Sequence, residues 1–410
     1  MFLRLVVSVV FIALGSSAAC SGQTAGQRHA ALFLSSLRKL QKQVSGDWHV
    51  ACMWNDVMVG RGMLRIGIGS RDDQDCYRIS KKLTFGKPGP GALVETVEAY
   101  FTADLHCLHS EERRGTQEIE EWSRVTTRQS DFDWEEEVSD AEGGTQTLTF
   151  ECPDGLLPNA CEELVMLLLP RKKGRVYEFV QNQFEGPDTP RTLAVEGIRR
   201  VDGTKLWCIQ LTDIEPADEG VDSSGGGRRL ETLYGLDRNG LARMEYERHG
   251  RRVTLLLSRA PTELPEVDLE VVGKLERPVD PVLAYWHARA AGDERLLRNA
   301  IDAGRMIEIL MAQDDEYMDM SDSAKELAAA LLKEKILSQI VQDEPDSSLL
   351  PFIALMTSEW LDVTTESETA ATVEVKDALP ADPAEEILDF RVEQHSSGRW
   401  KLVELVSKTE

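Results

Sequence analysis

Long apolar runs are scarce in this chain of 410 residues. Beyond residue 19, no stretch approaches the run of about 18 uninterrupted apolar residues that a membrane-spanning helix needs, so we expect no transmembrane span in the mature chain. Basic residues are also few: 46 Lys and Arg stand against 71 Asp and Glu, for a net charge of −25 at pH 7. Because such a surface repels phosphate backbones, we expect no nucleic-acid partner.

The common signatures of catalysis and metal binding are missing. The sequence has no Gly-rich phosphate loop, no Gly-x-Ser-x-Gly elbow and no His-Glu-x-x-His helix. The acidic stretch 314–322 lacks the alternating oxygen ligands and central Gly of an EF-hand loop. Like Glu135–Glu137, it predicts a solvated acidic loop. We therefore expect neither a metal nor another cofactor.

Residues 1–19 have the pattern of a secretory signal peptide. Arg4 precedes a ten-residue apolar run, which is too short to span a bilayer of about 30 Å, and small residues follow. We therefore expect an exported, bacterial-type envelope protein. Ser17-Ala18-Ala19-Cys20 is similar to a bacterial lipobox, with Ser17 in place of the usual leucine. Two outcomes stay open: a membrane anchor through a lipid on Cys20, or release into the periplasm after ordinary cleavage nearby.

Six further cysteines follow Cys20. An even number in an exported chain predicts disulfides, although six cysteines allow 15 pairings and the sequence selects none. Cys152 and Cys161 are the best local pair because a Pro/Gly-rich loop joins them. The remaining four would then pair among themselves: Cys52, Cys76, Cys107 and Cys208. Free buried thiols are the alternative.

The residue pattern changes near residue 260. Before it, short strand-like runs separated by turns predict an antiparallel meander, which a short helix over 157–170 interrupts. A Pro/Glu-rich linker is expected at 261–278. Residues 279–410 have the pattern of helices followed by strands, so the fold class is α+β.

Three features define the layout of residues 28–260. An opening helix runs into Ser45-Gly46-Asp47-Trp48, a Leu/Pro-rich helix precedes residues 174–179, and hairpins over 233–246 close the region. This layout resembles the LolA/LolB-like lipoprotein-carrier superfamily. The resemblance implies a curved antiparallel β-sheet, or half-barrel, around an apolar cavity.

The C-terminal region, residues 279–410, has a second resemblance. Tyr285–Asp293, Ala371–Val375 and Ser397–Leu402 match in order the first helix and last strands of the SnoaL and nuclear-transport-factor-like superfamily, with its cystatin-like cone. The resemblance implies a helix-packed, cone-shaped α+β domain. Catalytic members carry acid/base groups inside the cone, but Asp293 lies at a turn that is usually structural in that family.

Both resemblances imply a cavity, which leads to a functional expectation. We expect a non-catalytic exported envelope protein that binds a lipid, another apolar ligand or a partner peptide. An enzyme with His287 as its acid/base residue is one alternative, and an acidic scaffold for other envelope proteins is another. Five tryptophans would line a cavity or pack in a core: Trp48, Trp54, Trp286, Trp360 and Trp400.

Overall fold

The computed structural model describes residues 45–407, apart from 90, 103–106, 117–119, 130–132, 141–143, 152–155, 159–161, 170, 183–188, 215–228, 249–250, 313–320, 343–348 and 377–387. The expected leader, the opening helix, Cys20, Cys152 and Cys161 lie outside these residues. Within them, a large curved antiparallel sheet that is not closed accompanies a helical region, so the expected mixed α+β class is confirmed.

Within the described ranges, the large sheet has 15 strands, in the order β8-β7-β6-β5-β4-β3-β2-β1-β15-β14-β13-β12-β11-β10-β9. Fourteen are antiparallel, and the three-residue β9 pairs in parallel with β10. The strands are β1 Gly46–Trp54, β2 Val57–Arg71, β3 Gln74–Phe85, β4 Leu93–Phe101, β5 Cys107–Gly115, β6 Glu120–Arg128, β7 Asp133–Asp140, β8 Thr145–Glu151, β9 Leu156–Pro158, β10 Val176–Asn182, β11 Thr189–Val201, β12 Thr204–Ile214, β13 Arg229–Asp237, β14 Gly240–Arg248 and β15 Arg251–Ser258.

Glycines on β2 permit close strand packing, and the register of the sheet shifts nearby. A Cβ atom at Gly60 would lie 2.2 Å from the Thr84 carbonyl oxygen, and one at Gly62 would lie 2.3 Å from that of Lys82. Only glycine therefore permits β3 to approach β2 this closely. The register between β1 and β2 also shifts after Cys52, and such irregularities increase the local twist of a sheet.

One face of the sheet, which we call the inner face, carries the apolar residues of its central strands. Trp48, Val50 and Cys52 alternate along β1 and are buried, as expected where one face of a strand is covered. Their cross-strand neighbours on the same face include Leu64 of β2 and Leu257 of β15.

The helical region ends in a second antiparallel sheet, in the order β16-β17-β18-β19. None of the helices within the described ranges combines the length and apolarity that crossing a membrane requires. The helices are α1 Glu162–Leu168, which interrupts the large sheet, then α2 Leu269–Val272, α3 Asp280–Ala291, α4 Glu294–Ala300, α5 Ala303–Ala312, α6 Asp322–Gln342, α7 Leu350–Ile353 and a 3-10 helix Ser358–Trp360; the strands are β16 Leu361–Ser367, β17 Ala370–Val375, β18 Leu388–Gln394 and β19 Trp400–Ser407.

A short junction connects the helical region to one end of the inner face. The Trp54 ring stacks between Phe85 of β3 and Phe352 of α7, with centroid separations of 5.6 and 5.7 Å. The backbone N–H of Lys87 donates to the Pro351 carbonyl at 2.7 Å. One cluster of buried apolar residues includes members of both regions, so the junction is part of the packed interior.

The expected linker, residues 261–278, contains α2 and the buried Leu275. The Leu275 carbonyl accepts the backbone N–H of Trp400 at 2.8 Å. Although this segment packs against the C-terminal strands, the domain boundaries 28–260 and 279–410 stay a prediction.

The sequence pattern over 353–363 predicts a strand, and this is wrong for its first part. The structure has the end of α7, then a 3-10 helix, and β16 begins only at Leu361. Pro351 lies in the first turn of α7, where a missing N–H costs nothing. The Thr357 hydroxyl caps the 3-10 helix by accepting the N–H of Glu359 at 3.3 Å. These local signals outweigh the apolar pattern.

The predicted pairing among Cys52, Cys76, Cys107 and Cys208 is wrong, because the structure has all four as buried thiols outside any disulfide. They lie on β1, β3, β5 and β12, and at least one strand separates each from the next in the sheet. Two strand spacings amount to about 9.5 Å, which exceeds the Cα separation of about 4.4–6.8 Å that a disulfide tolerates.

We therefore predict that these four cysteines resist alkylation by iodoacetamide in the native protein and react once guanidinium chloride unfolds it. Burial raises the pKa of the Cys52 thiol and of the Cys208 thiol, which lowers the reactive thiolate fraction. Peptide mapping without a reductant measures the outcome. A disulfide-linked peptide containing any two of the four would contradict it.

Phe352→Ala should destabilise the protein by about 3–5 kcal/mol, because it removes a buried ring from the junction. Denaturant unfolding followed by tryptophan fluorescence measures this loss. The control is Leu331→Ala on α6, whose side chain is 66% exposed and whose loss should change stability by no more than about 0.5 kcal/mol. Equal effects of the two substitutions would show that the junction does not stabilise the fold.

Candidate functional site

A row of charged residues crosses the inner face from β3 to β7. Lys81 on β3 lies opposite Val97 on β4, Val97 opposite Glu112 on β5, and Glu112 opposite Arg124 on β6. Directly opposed residues share a face of the sheet, and Lys81 is itself opposite the inner-face Leu64. We call Lys81, Glu112, Arg124 and Glu136 the charge ladder.

Arg124 and Glu136 form the buried end of the charge ladder. The Arg124 Nε and Glu136 Oε1 atoms are 2.5 Å apart, and the two side chains are only 4% and 6% exposed. A second contact joins Arg124 Nη2 to Glu136 Oε2 at 3.1 Å. The Nη2 contact is a hydrogen bond and the Nε contact an ion pair, and together they offset part of the cost of taking the two charges out of water.

Lys81 forms the other end, where it meets helix α1. Its Nζ atom lies 2.6 Å from Glu163 Oε1, with side-chain exposures of 24% for Lys81 and 3% for Glu163. Burial acts to lower the pKa of the Lys81 amine, but the Glu163 carboxylate, with smaller contributions from Tyr246 and Glu112, acts to raise it, and the net pKa is raised. Lys81 therefore stays charged because Glu163 accompanies it.

Glu162, the residue before Glu163, connects α1 to strand β13, which is distant from β3 in the strand order of the large sheet. The Tyr234 hydroxyl on β13 donates to Glu162 Oε2 at 2.5 Å. Five strand steps separate β3 from β13 in the sheet order, which is about 24 Å along its surface. Two consecutive glutamates thus hold one helix end to distant strands, and we call Glu162, Glu163, Lys81 and Tyr234 the latch.

The sequence of α1 suits this position. Glu162 and Glu163 occupy its first turn, where the helix dipole favours negative charge. Close packing on the inner face is visible at Gly240, where a Cβ atom would lie 3.0 Å from Trp48 Cζ2 and 3.2 Å from Leu167 Cδ2. Leu167 is partly buried, and the other four apolar residues of α1 are buried: Leu164, Val165, Met166 and Leu168.

Glu112 lies between the two ion pairs of the inner face. Burial raises the pKa of its carboxyl group; Arg124 and Lys81 act to lower this pKa, and Glu163 and Glu136 act to raise it. Because the two cations already have carboxylate partners, they compensate Glu112 incompletely. Glu112 is therefore the member of the ladder whose charge the site accommodates least well.

His287, the residue of the enzymatic alternative, lies in the packed interior beside a backbone carbonyl. It is 8% exposed, and its Nε2 atom lies 2.9 Å from the Met356 carbonyl oxygen. Burial lowers its pKa, and that carbonyl opposes the change. A neutral imidazole that donates to a backbone carbonyl links α3 to the segment after α7, and this geometry favours a structural role.

The five tryptophans considered as cavity lining are part of the packed interior. Trp48, Trp360 and Trp400 are buried, and Trp54 and Trp286 pack against the same cluster. Trp48 also has the Arg259 guanidinium 4.0 Å from its ring centroid. Packing in a core, the alternative considered above, is what these contacts support.

Two surface grooves are polar and have none of these tryptophans in their walls. The larger, of about 750 Å³, is lined by five carboxylates, among them Glu245 and Glu231, and by Arg199 and Arg252. The smaller, of about 300 Å³, is lined by seven residues that include Arg305 and His395. Within the described residues, no group of His, Cys, Asp and Glu side chains is arranged to hold a metal ion.

Sequence reasoning missed the charge ladder. The expected solvated loop Glu135–Glu137 is wrong, because these residues lie in β7 and Glu136 is buried against Arg124. The available signal was the alternation of Trp134, Glu136 and Val138, which places the glutamate on the same face as two apolar residues. Nothing local to the sequence paired Glu136 with Arg124 or Glu163 with Lys81.

Comparisons with known proteins give only distant similarities. No protein-family model and no curated protein matches the chain. Among solved structures, a beta-barrel-like protein of the domain of unknown function DUF1849 from Brucella abortus is 11% identical, with a TM-score of 0.35, over 54% of this chain and 99% of its own.

Two further structures are similar at lower scores. LprF from Mycobacterium bovis is 12% identical, with a TM-score of 0.16, over 58% of this chain and 97% of its own. A DUF1329 family protein from Desulfovibrio piger is 11% identical, with a TM-score of 0.19, over 58% of this chain and 94% of its own. These similarities support no functional inference, and they do not confirm the SnoaL-like resemblance of residues 279–410.

Glu112→Gln should make folding stability less dependent on pH. The folded-state pKa of Glu112 is raised above the unfolded value near 4.5. Its contribution to stability is therefore complete below about pH 4.5 and is lost as pH rises through the folded-state pKa. As pH rises from about 4.5 to 8, the free energy of unfolding of the variant should increase relative to that of the wild type.

Urea unfolding across this pH range measures the difference. The matched control is Glu111→Gln, the neighbouring residue on the opposite face of β5, next to Arg113. The control should show no comparable gain. A difference between Glu112→Gln and wild type that is constant across the range would contradict the assignment.

Proposed function

We propose that this protein is a non-catalytic, exported envelope protein that binds an apolar chain between the inner face of its large sheet and helix α1. The observation that carries the proposal is the latch: the first turn of α1 is held by polar contacts to Lys81 and Tyr234, whereas the rest of the helix contributes apolar contacts. A helix held in this way acts as a replaceable cover.

The chemistry of the covered surface supports an apolar ligand. The inner face beneath α1 is built from Trp48, Leu64 and their apolar neighbours, and α1 presents leucine, valine and methionine to the same buried cluster. An alkyl chain can replace those apolar contacts, since dispersion and burial do not depend on direction. The polar contacts at the first turn then set the cost of opening.

Export and anchoring belong to the same proposal. Residues 1–19 would direct the chain out of the cytosol, and Cys20 would carry a lipid or lie close to the cleavage site. The LolA/LolB-like resemblance of residues 28–260 and the SnoaL-like resemblance of residues 279–410 agree with a binding protein. The enzymatic alternative has less support, because the partner of His287 is a backbone carbonyl.

The latch predicts an effect on ligand uptake. In the closed state, α1 lies on the inner face; in the open state, it has moved away to admit the ligand. Glu163→Gln removes the ion pair with Lys81 that favours the closed state. The population of the open state therefore increases, and the apparent affinity for an apolar ligand rises. We expect the neutral fluorescent probe N-phenyl-1-naphthylamine to bind about tenfold more tightly to Glu163→Gln than to wild type, as judged by fluorescence titration.

The control is Glu294→Gln on α4, which removes an ion pair between Arg298 Nε and Glu294 Oε1 at 2.7 Å. Both of its side chains are largely exposed, so the affinity should not change. Near-ultraviolet circular dichroism checks that both variants keep the native fold. Failure of the probe to bind either wild type or Glu163→Gln would refute the proposed function.

A further inference from the structure

We propose that the chain bound under α1 belongs to an anionic amphiphile, whose carboxylate or phosphate group replaces the Glu163 carboxylate on Lys81. This inference rests on the proposed function and adds the chemical class of the ligand. It follows from the position of Lys81, the charge balance of the ladder and the identity of the group that α1 places there.

Lys81 lies at the boundary between the apolar and charged parts of the inner face. On one side its cross-strand neighbour is Leu64 of β2, which in turn lies opposite Trp48 of β1. On the other side, beyond Val97, lie Glu112 and Arg124. A molecule with an apolar chain toward β1 and β2 would therefore have its polar end at Lys81.

The charge balance favours an anionic polar end. Arg124 and Glu136 already neutralise each other, and Glu163 is the carboxylate in contact with Lys81. Displacement of α1 removes Glu163 and leaves the Lys81 ammonium facing Glu112, which also interacts with Arg124. One incoming negative charge restores the balance of the closed state, whereas a neutral group leaves the Lys81 ammonium without its hydrogen-bonded carboxylate and with only Glu112, which it shares with Arg124.

The contact between Lys81 and Glu163 also gives the hydrogen-bond geometry that we propose for the anionic group of the ligand. Nζ and Oε1 are 2.6 Å apart, a charge-assisted hydrogen bond that a fatty-acid carboxylate or a phosphate oxygen reproduces. Glu163 thus holds the place of the ligand's anionic group while the helix is closed. A cationic head group would meet Lys81 with like charge and is excluded by the same argument.

The experiment compares probes that share one chain and differ in charge. A fluorescent long-chain fatty acid, its methyl ester and the corresponding alkyl phosphate are titrated into the full chain at about pH 8, where both anions are ionised. Wild type should bind each anion at least about tenfold more tightly than the ester. The anion that binds with the higher affinity identifies the head group of the ligand as a carboxylate or a phosphate.

Three substitutions test the assignment to Lys81. Lys81→Met should abolish the preference for anions, and Lys81→Arg, which keeps the charge, should retain it. The matched control is Lys82→Met, the next residue on β3, which is exposed on the opposite face and should behave as wild type. Affinity for the methyl ester verifies that each variant keeps a working site.

The possible failures are distinguishable. Equal affinity of wild type for the anions and the ester, or an unchanged preference in Lys81→Met, would overturn this inference and leave the proposed function intact. Absence of binding by all three probes would remove the proposed function and this inference together.

Discussion

The need to cover one face of a very wide, open sheet governs this structure. In the part of the chain that the structure describes, the large sheet has 15 strands, with β8 at one end of the order and β9 at the other. Its central strands carry apolar residues on the inner face. That face loses its contact with water only if other elements lie on it. Helix α1, which lies between β9 and β10 in the sequence, covers the inner face. Helix α7 packs at one end of this face through Phe352.

The charged residues of the inner face show how the sheet tolerates polarity in its interior. Arg124 with Glu136 and Lys81 with Glu163 are close pairs, and each offsets part of the cost of dehydration that its members would suffer alone. Such pairs fit one register only, since a one-residue slip would place each charge on the opposite face, away from its partner. The Glu112 carboxylate lies between the two ion pairs, and its negative charge is compensated least by its neighbours.

Several elements could be predicted from local signals. The residue pattern over 48–54 predicts a strand, and the patterns over 281–290 and 323–341 predict helices, close to the observed bounds of β1, α3 and α6. The strands β5 and β7 escaped prediction because their many charged residues are typical of solvated loops. The predicted pairing among Cys52, Cys76, Cys107 and Cys208 was wrong for a related reason: an even number of cysteines carries no spatial information, whereas strand order sets the distance between Cys52 and Cys76.

The sequence by itself determined the acidic character of the chain, the α+β class and many of the individual helices and strands. These properties depend on composition and on residues a few positions apart. The candidate site depended on the tertiary structure. Lys81 and Glu163 are 82 residues apart, and Glu162 and Tyr234 are 72 apart. Contacts at such separations arise from strand order and sheet curvature, which no local pattern encodes.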